Sequence, residues 1–412
     1  MTNNESIKKK QGTKTRFLSF VCICAILFSF FPTGILSYVP LIDRYIRLVQ
    51  FAGLACIVVY FLFSARLVVV NRGILYAFAI LLIELFTTLF RDGSVVKVLF
   101  ETIRFVGIIW MITNEGRNSF SRIYDYLIAV LYGMGIFSLL YSIFINVSNT
   151  SLFGLEGELS NYAIPIIAIL YMDSIRRNRL QKILYYIFAA VMIYCMLFVI
   201  DSSTAKVGSV LIVGLVLFDR FAKKVNPTKF FWIFVICFLL IVIFRITNYF
   251  GFIIEDVLQE SITLHKRTYA WDYAIDLIKE SPIWGYGYIE SMYQYSIIYK
   301  VTNGWFAHPH NELLRLYLLG GLFNVISAVG MMFYTAKRLN RYYQYKSIRI
   351  ITYALFTMLI MSIVETCFNS YFYLLIGFAY SAQAIIEKYE GVDNKAIKPK
   401  NKSLSVNGSI QR

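Results

Sequence analysis

The segment His308-Pro309-His310-Asn311-Glu312 is where this sequence could do acid–base chemistry. It stands just before a long apolar run. Proline suits the first turn of a helix, so the spacing predicts a helix whose N-terminus carries His310 and Asn311. Unpaired N–H groups and roughly half a positive charge gather at such an end, favouring a bound phosphate and a neutral imidazole. His310 is then able to accept a proton. Two other readings of the same residues stay open: an interfacial histidine that merely caps the helix, or a metal site of His308, His310 and Glu312. The two histidines are only two apart and no further ligand pair is evident, a poor set for a metal. Other polar candidates lie within apolar runs, where a charge costs roughly 2.5 to 3.5 kcal/mol on insertion scales. Lys206 follows Asp201-Ser202-Ser203-Thr204 about one turn into such a run, placed either to snorkel or to pair with Asp201. Arg104 can pair with Glu101, and Arg315 with Glu312, at three-residue spacing. Arg315 falls about 140° around the helix from His310, so the two are not expected side by side. Arg245 reads as a snorkelling residue, and the sequence names no partner for Glu365. Glu156-Gly-Glu158 could hold a divalent ion, but reads more simply as two solvated acids. There is no Asp-x-Asp pair, glycine-rich phosphate loop, His-Glu-x-x-His or Gly-x-Ser-x-Gly.

The elements that must position these residues are membrane helices. Of 412 residues, 58% are hydrophobic and 16% charged, with a mean hydropathy of +0.62. A soluble domain carries about 25% charged residues and lacks the interior to hide so much apolar side chain. The net charge of +16 does not indicate nucleic acid, because the basic residues stand between apolar runs rather than along one face. Runs of about 20 apolar residues cross the hydrocarbon, and they predict an all-α integral membrane protein of about twelve transmembrane helices. The runs lie near 17–36, 45–64, 73–90, 95–113, 123–145, 160–175, 183–200, 204–221, 230–247, 311–335, 350–365 and 368–386. The cysteines (Cys22, Cys24, Cys56, Cys195, Cys237, Cys367) fall inside or at the ends of these runs and read as small hydrophobes. The first run, preceded by Lys8, Lys9, Lys10, Lys14 and Arg16 and followed by no small-residue cleavage pattern, reads as an uncleaved signal anchor.

Basic loops stay cytoplasmic. With both termini inside, most of the 40 Lys and Arg fall on the cytoplasmic side. The expected organisation is a basic tail (1–16), nine spans (17–247), one large extracytoplasmic loop (248–310), three spans (311–386) and a polar, disordered tail (387–412). The loop holds all three histidines and three of the five tryptophans, and a long ordered loop is usually functional. Within it, apolar positions at helical spacing from Lys266 to Glu280 predict a short amphipathic helix against the outer leaflet or the bundle. Ser281-Pro282 ends that helix, and a Gly285-Tyr286-Gly287 turn follows.

These residues resemble the O-antigen polymerase and O-antigen ligase family of bacterial membrane glycosyltransferases. His310-Asn311-Glu312-Leu313-Leu314, running on to Gly320-Gly321, looks like the family's His-Asn-x-x-Leu segment ending in glycine. Arg267, Trp271, Pro282, Gly285 and Gly287 resemble its Arg, Trp and Pro-x-x-Gly-x-Gly segment at the start of the same loop. Ser202-Ser203-Thr204-Ala205-Lys206 is similar to its Ser-Lys or Ser-Arg helix opening, and Gly157-Glu158-Leu159-Ser160-Asn161 to its Gly-x-x-x-Asn stretch. The sequence departs from the family in carrying Lys206 where many members place Arg.

The resemblance implies transfer of a glycan from a polyprenyl-diphosphate carrier on the outer face of the cytoplasmic membrane. The partners are then the lipid bilayer, the polyprenyl-diphosphate-linked oligosaccharide, a chain-length regulator and a flippase. His310 would be the base, Arg267 and Lys206 the cations on the diphosphate, and Asn311 and Trp271 further substrate contacts, the Trp as a stacking surface for sugar. No cofactor or metal is expected. A polymerase of lipid-linked repeat units is favoured, a ligase delivering finished polymer is the alternative, and a transporter of lipid-linked sugars is the outlier in class, disfavoured because no internal repeat is seen.

Overall fold

The computed structural model describes residues 21, 40–64, 71–118, 124–133, 135–136, 150–151, 154–155, 159–200, 202–246, 267–288 and 309–392. The first predicted span apart from Val21, much of the fifth, Glu156, Glu158, Asp201, His265, His308, Trp305, the basic tail 1–16 and residues 393–412 of the C-terminal tail lie outside these residues, whereas residues 387–390, expected to be disordered, end a helix. The described chain is helical, apart from a two-residue antiparallel ladder pairing β1 (Thr150–Ser151) with β2 (Gly154–Leu155).

The helices in order are α1 (Pro40–Ser64), α2 (Arg72–Phe90), α3 (Val95–Val98), α4 (Arg104–Asn118), α5 (Leu159–Ser174), α6 (Arg179–Tyr194), α7 (Ser203–Leu217), α8 (Asp219–Ala222), α9 (Pro227–Phe238), α10 (Arg267–Glu280), α11 (Glu312–Asn340), α12 (Lys346–Met361), α13 (Ser370–Tyr380) and α14 (Ala382–Glu390). A wider π-helical turn joins α3 to α4 and extends α6 and α9. Short polar side chains set many starts. Asn71, Asn178, Ser202, Asn226, Asn311 and Asn369 each accept a hydrogen bond from a backbone N–H of the helix they precede, meeting one of the orphan donors of a helix N-terminus.

Three helical stretches among the described residues are long and apolar enough to cross a membrane: Arg72–Phe90, Arg179–Val199 and Glu312–Asn340. Further apolar helices, among them Ser203–Leu217 and Ser370–Tyr380, are shorter. Large apolar side chains such as Leu82, Phe90, Phe198 and Leu217 stand outward and exposed, an arrangement water would penalise and lipid would not. The centre is α12 and α13, nearly every residue of which is buried; α5, α7 and α9 pack on α12, and α4 on α13.

The tenth predicted span differs from expectation. It is broken at Gly320 (φ −142°, ψ 16°) and Gly321 (φ 66°, ψ −158°), and the Pro-x-x-Gly-x-Gly segment fills the break. The Tyr286 and Gly287 N–H groups donate to the Leu318 and Leu319 carbonyls at 2.7 and 3.0 Å, while the Leu322 N–H donates to the Pro282 and Ile283 carbonyls. A Cβ on Gly321 would lie 1.9 Å from the Ile283 oxygen, and one on Gly285 2.6 Å from the Gly321 nitrogen. Backbone meets backbone at Gly285 and Gly321, so the absence of a side chain at these two positions is a docking requirement. The Asn324 amide closes the break from the other side, donating to the Leu316 carbonyl and to the buried Glu84 of α2.

Candidate functional site

The break fixes the direction of the first two turns of α11, whose head is bound to the turn between α12 and α13. Asn311 accepts from the Leu314 N–H at 2.9 Å and donates its amide to the Ile363 carbonyl at 2.7 Å. The Glu312 N–H donates to the Ser362 carbonyl, and the Glu312 carboxylate accepts from the Phe368 N–H and pairs with Arg315. Pro309 therefore lies ahead of the cap rather than in the first turn. His310, between them, adopts a left-handed backbone (φ 44°). Such a conformation costs a non-glycine residue on the order of 1–3 kcal/mol. It swings the imidazole off the helix surface, so the angular separation expected between His310 and Arg315 does not describe their relation.

That imidazole meets Glu365, 2.9 Å from Nδ1 to Oε1. The same carboxylate oxygen accepts the Thr366 N–H at 3.0 Å, and Oε2 lies 3.5 Å from Arg267 Nη2 at the head of α10. Burial alone would push the Glu365 carboxyl up. The His310 hydrogen bond and charge, the Arg267 guanidinium and the Thr366 N–H outweigh it and hold the carboxyl down at about 2. An ionised carboxylate can only accept, so the Nδ1 carries the hydrogen of this contact, and in the neutral ring Nε2 holds the lone pair. The side chains of His310, Arg267 and Glu365 are 16%, 18% and 9% exposed, shielded but not sealed. Arg267 Nε is buried with no acceptor among the described residues.

Asn161, at the start of α5, steadies the carboxylate's turn: its amide donates to the Thr366 carbonyl at 3.0 Å and its oxygen lies 3.1 Å from Cys367 Sγ. Lys206 is half-buried in the first turn of α7, behind the Ser202 cap. Gly208, two residues on, packs against the Met361 side chain at the end of α12, so Lys206 is at the same end of the bundle as His310, Glu365 and Arg267.

Two expected substrate contacts are otherwise engaged. Asn311 is fully buried, its side chain committed to the cap and to Ile363. Trp271 is also fully buried, with the Arg245 guanidinium 5.0 Å from its ring centre; no face is open for sugar stacking. Arg245 itself pairs with Asp272 rather than simply snorkelling. The Glu312 carboxylate is spent on Arg315 and Phe368, which removes it from the metal reading of the histidines. The residue the sequence left without a role is Glu365. Its signal was an acid standing alone between two apolar runs, and its partners come from segments 55 and 98 residues away.

The arrangement is a histidine oriented by a carboxylate, beside an arginine with donors to spare and at the lysine-bearing end of the bundle. It suits removing a proton from a hydroxyl next to a bound anion. No curated protein matches the chain. The family model for O-antigen ligase matches residues 188–329, which include Lys206, Arg267, His310 and the docked glycines, while Asn161 and Glu365 lie outside it. Over those residues the chain is similar to the O-antigen ligase family.

Proposed function

We propose that the protein is an inverting glycosyltransferase that joins polyprenyl-diphosphate-linked repeat units into a polysaccharide such as capsule, exopolysaccharide or O-antigen. The single observation that carries this reading is the contact of one carboxylate, Glu365, with both His310 and Arg267. His310 Nε2 takes the proton of the acceptor hydroxyl as its oxygen attacks the anomeric carbon. The bond from that carbon to the phosphate oxygen breaks, and the electron pair leaves with the lipid diphosphate. Arg267 meets that charge through a fork and Lys206 as a point charge, so the displacement needs no metal. The site lies on the outer face of the bacterial cytoplasmic membrane in a chain of about twelve spans with both termini inside; the basic loops support this orientation.

The matching family model is described as O-antigen ligase, and transfer of finished polymer to lipid A core or another acceptor uses the same residues. Purified protein supplied with lipid-linked repeat units alone separates the two. A ladder of products is expected. Product that forms only on adding a different acceptor would replace the polymerase reading with the ligase one.

A further inference from the structure

Glu365 serves two groups unequally. It holds His310 Nδ1 at 2.9 Å but meets Arg267 Nη2 only at 3.5 Å, a length at which a hydrogen bond is weak. Arg267 also keeps a buried Nε–H with no acceptor among the described residues. A phosphate taken through the fork would satisfy that guanidinium better than the carboxylate edge it now touches. Among the described residues, the other charged or titratable groups near this end of the packed elements include Glu312 and Arg315 on α11, paired with each other, Asp272 on α10, paired with Arg245, Tyr162 on α5 and Tyr371 on α13, in ring contact, Cys367 on the turn after α12, in contact with Asn161, and Lys206 at the head of α7. Glu365 is therefore the link through which a movement of Arg267 reaches His310.

We propose that Glu365 couples donor binding to base strength. When a diphosphate ester takes the Arg267 guanidinium, the carboxylate no longer shares its charge with that cation and keeps only His310 and the Thr366 N–H, and the imidazole gains proton affinity once the leaving group is in place. This rests on the roles of His310 and Arg267 given under the proposed function. Without donor, Arg267 shares the carboxylate with His310; with donor, it does not. The coupling is reciprocal, so a protonated His310 tightens the diphosphate by the same factor.

The test uses the full chain in lipid nanodiscs with 15N-labelled histidine, and as probe a farnesyl-diphosphate glucose ester, a diester with no proton that titrates near neutrality. The His310 signal is assigned by its loss in His310→Gln and titrated with and without probe. Saturating probe is expected to raise the proton affinity of His310 roughly tenfold in the wild type, and by less than about threefold in Glu365→Gln. Arg267→Gln should show the raised affinity before any probe is added. Glu365→Asp, which keeps the charge but shortens the reach, should give an intermediate shift and serves if the Gln variant fails to fold. An equal shift in wild type and Glu365→Gln would overturn the coupling, because the field of the ester alone would then suffice; so would no shift in the wild type. Failure of the probe to bind the wild type, or equal binding to Arg267→Gln, would instead bring down the diphosphate reading of Arg267, and the coupling with it.

Discussion

His310 is held by a strained backbone and one carboxylate, and both bear on what substitution will do. His310→Ala removes the base and relieves the left-handed residue only in part, so the protein should fold while transfer falls by about 10²- to 10⁴-fold; gel filtration beside the product-ladder assay checks both. Arg267→Ala should weaken donor use, and Arg267→Lys should restore part of it, because the charge returns without the fork. Unchanged chain-length distribution in Arg267→Ala and Lys206→Ala would remove both cations from the mechanism. The Glu365 carboxyl, held down at about 2 against an ordinary 4.5, has a definite sign. Its contribution to stability is full above the ordinary value and is lost as the pH falls from about 4.5 towards 2. Thermal unfolding followed across that window should fall more steeply in the wild type than in Glu365→Gln.

At the scale of elements, the decisive feature is a helix that stops and restarts. Leu318 and Leu319 would leave bare carbonyls in an apolar surrounding if α11 broke without a partner, and such groups are costly there. The Tyr286 and Gly287 N–H groups remove that cost. Gly321→Ala should therefore be severe, losing more than about 2 kcal/mol, since it combines a positive φ with a Cβ driven into the Ile283 carbonyl. Gly214→Ala, on a helix with nothing within 4 Å of the new methyl, is the control and should be neutral or stabilising by up to about 1 kcal/mol. Thermal unfolding of the two variants side by side is the measurement. The α10 helix and the glycine turn were legible from spacing, but the break was not. An apolar run through Gly320-Gly321 reads as one span, and the glycine turn that fills the break comes from another part of the chain.

For the whole molecule, the placement of the site relative to the membrane is the claim that labelling can test. In a cysteine-free background, a cysteine at position 308 should react with an impermeant maleimide from outside, and one at position 400 only after the membrane is opened. The reverse pattern would put the base in the cytosol and end the proposed chemistry. The amino-acid sequence by itself determined that this is a helical membrane protein, which helix N-terminus carries the histidine, and which family's motifs surround it, because hydropathy, capping and glycine spacing are local properties. The tertiary structure decided which of those residues meet. Asn311 and Trp271 are buried, while Glu365, which no local pattern pairs, joins His310 to Arg267. Burial and pairing across 55 and 98 residues of chain depend on how the helices pack, and no local pattern encodes that packing.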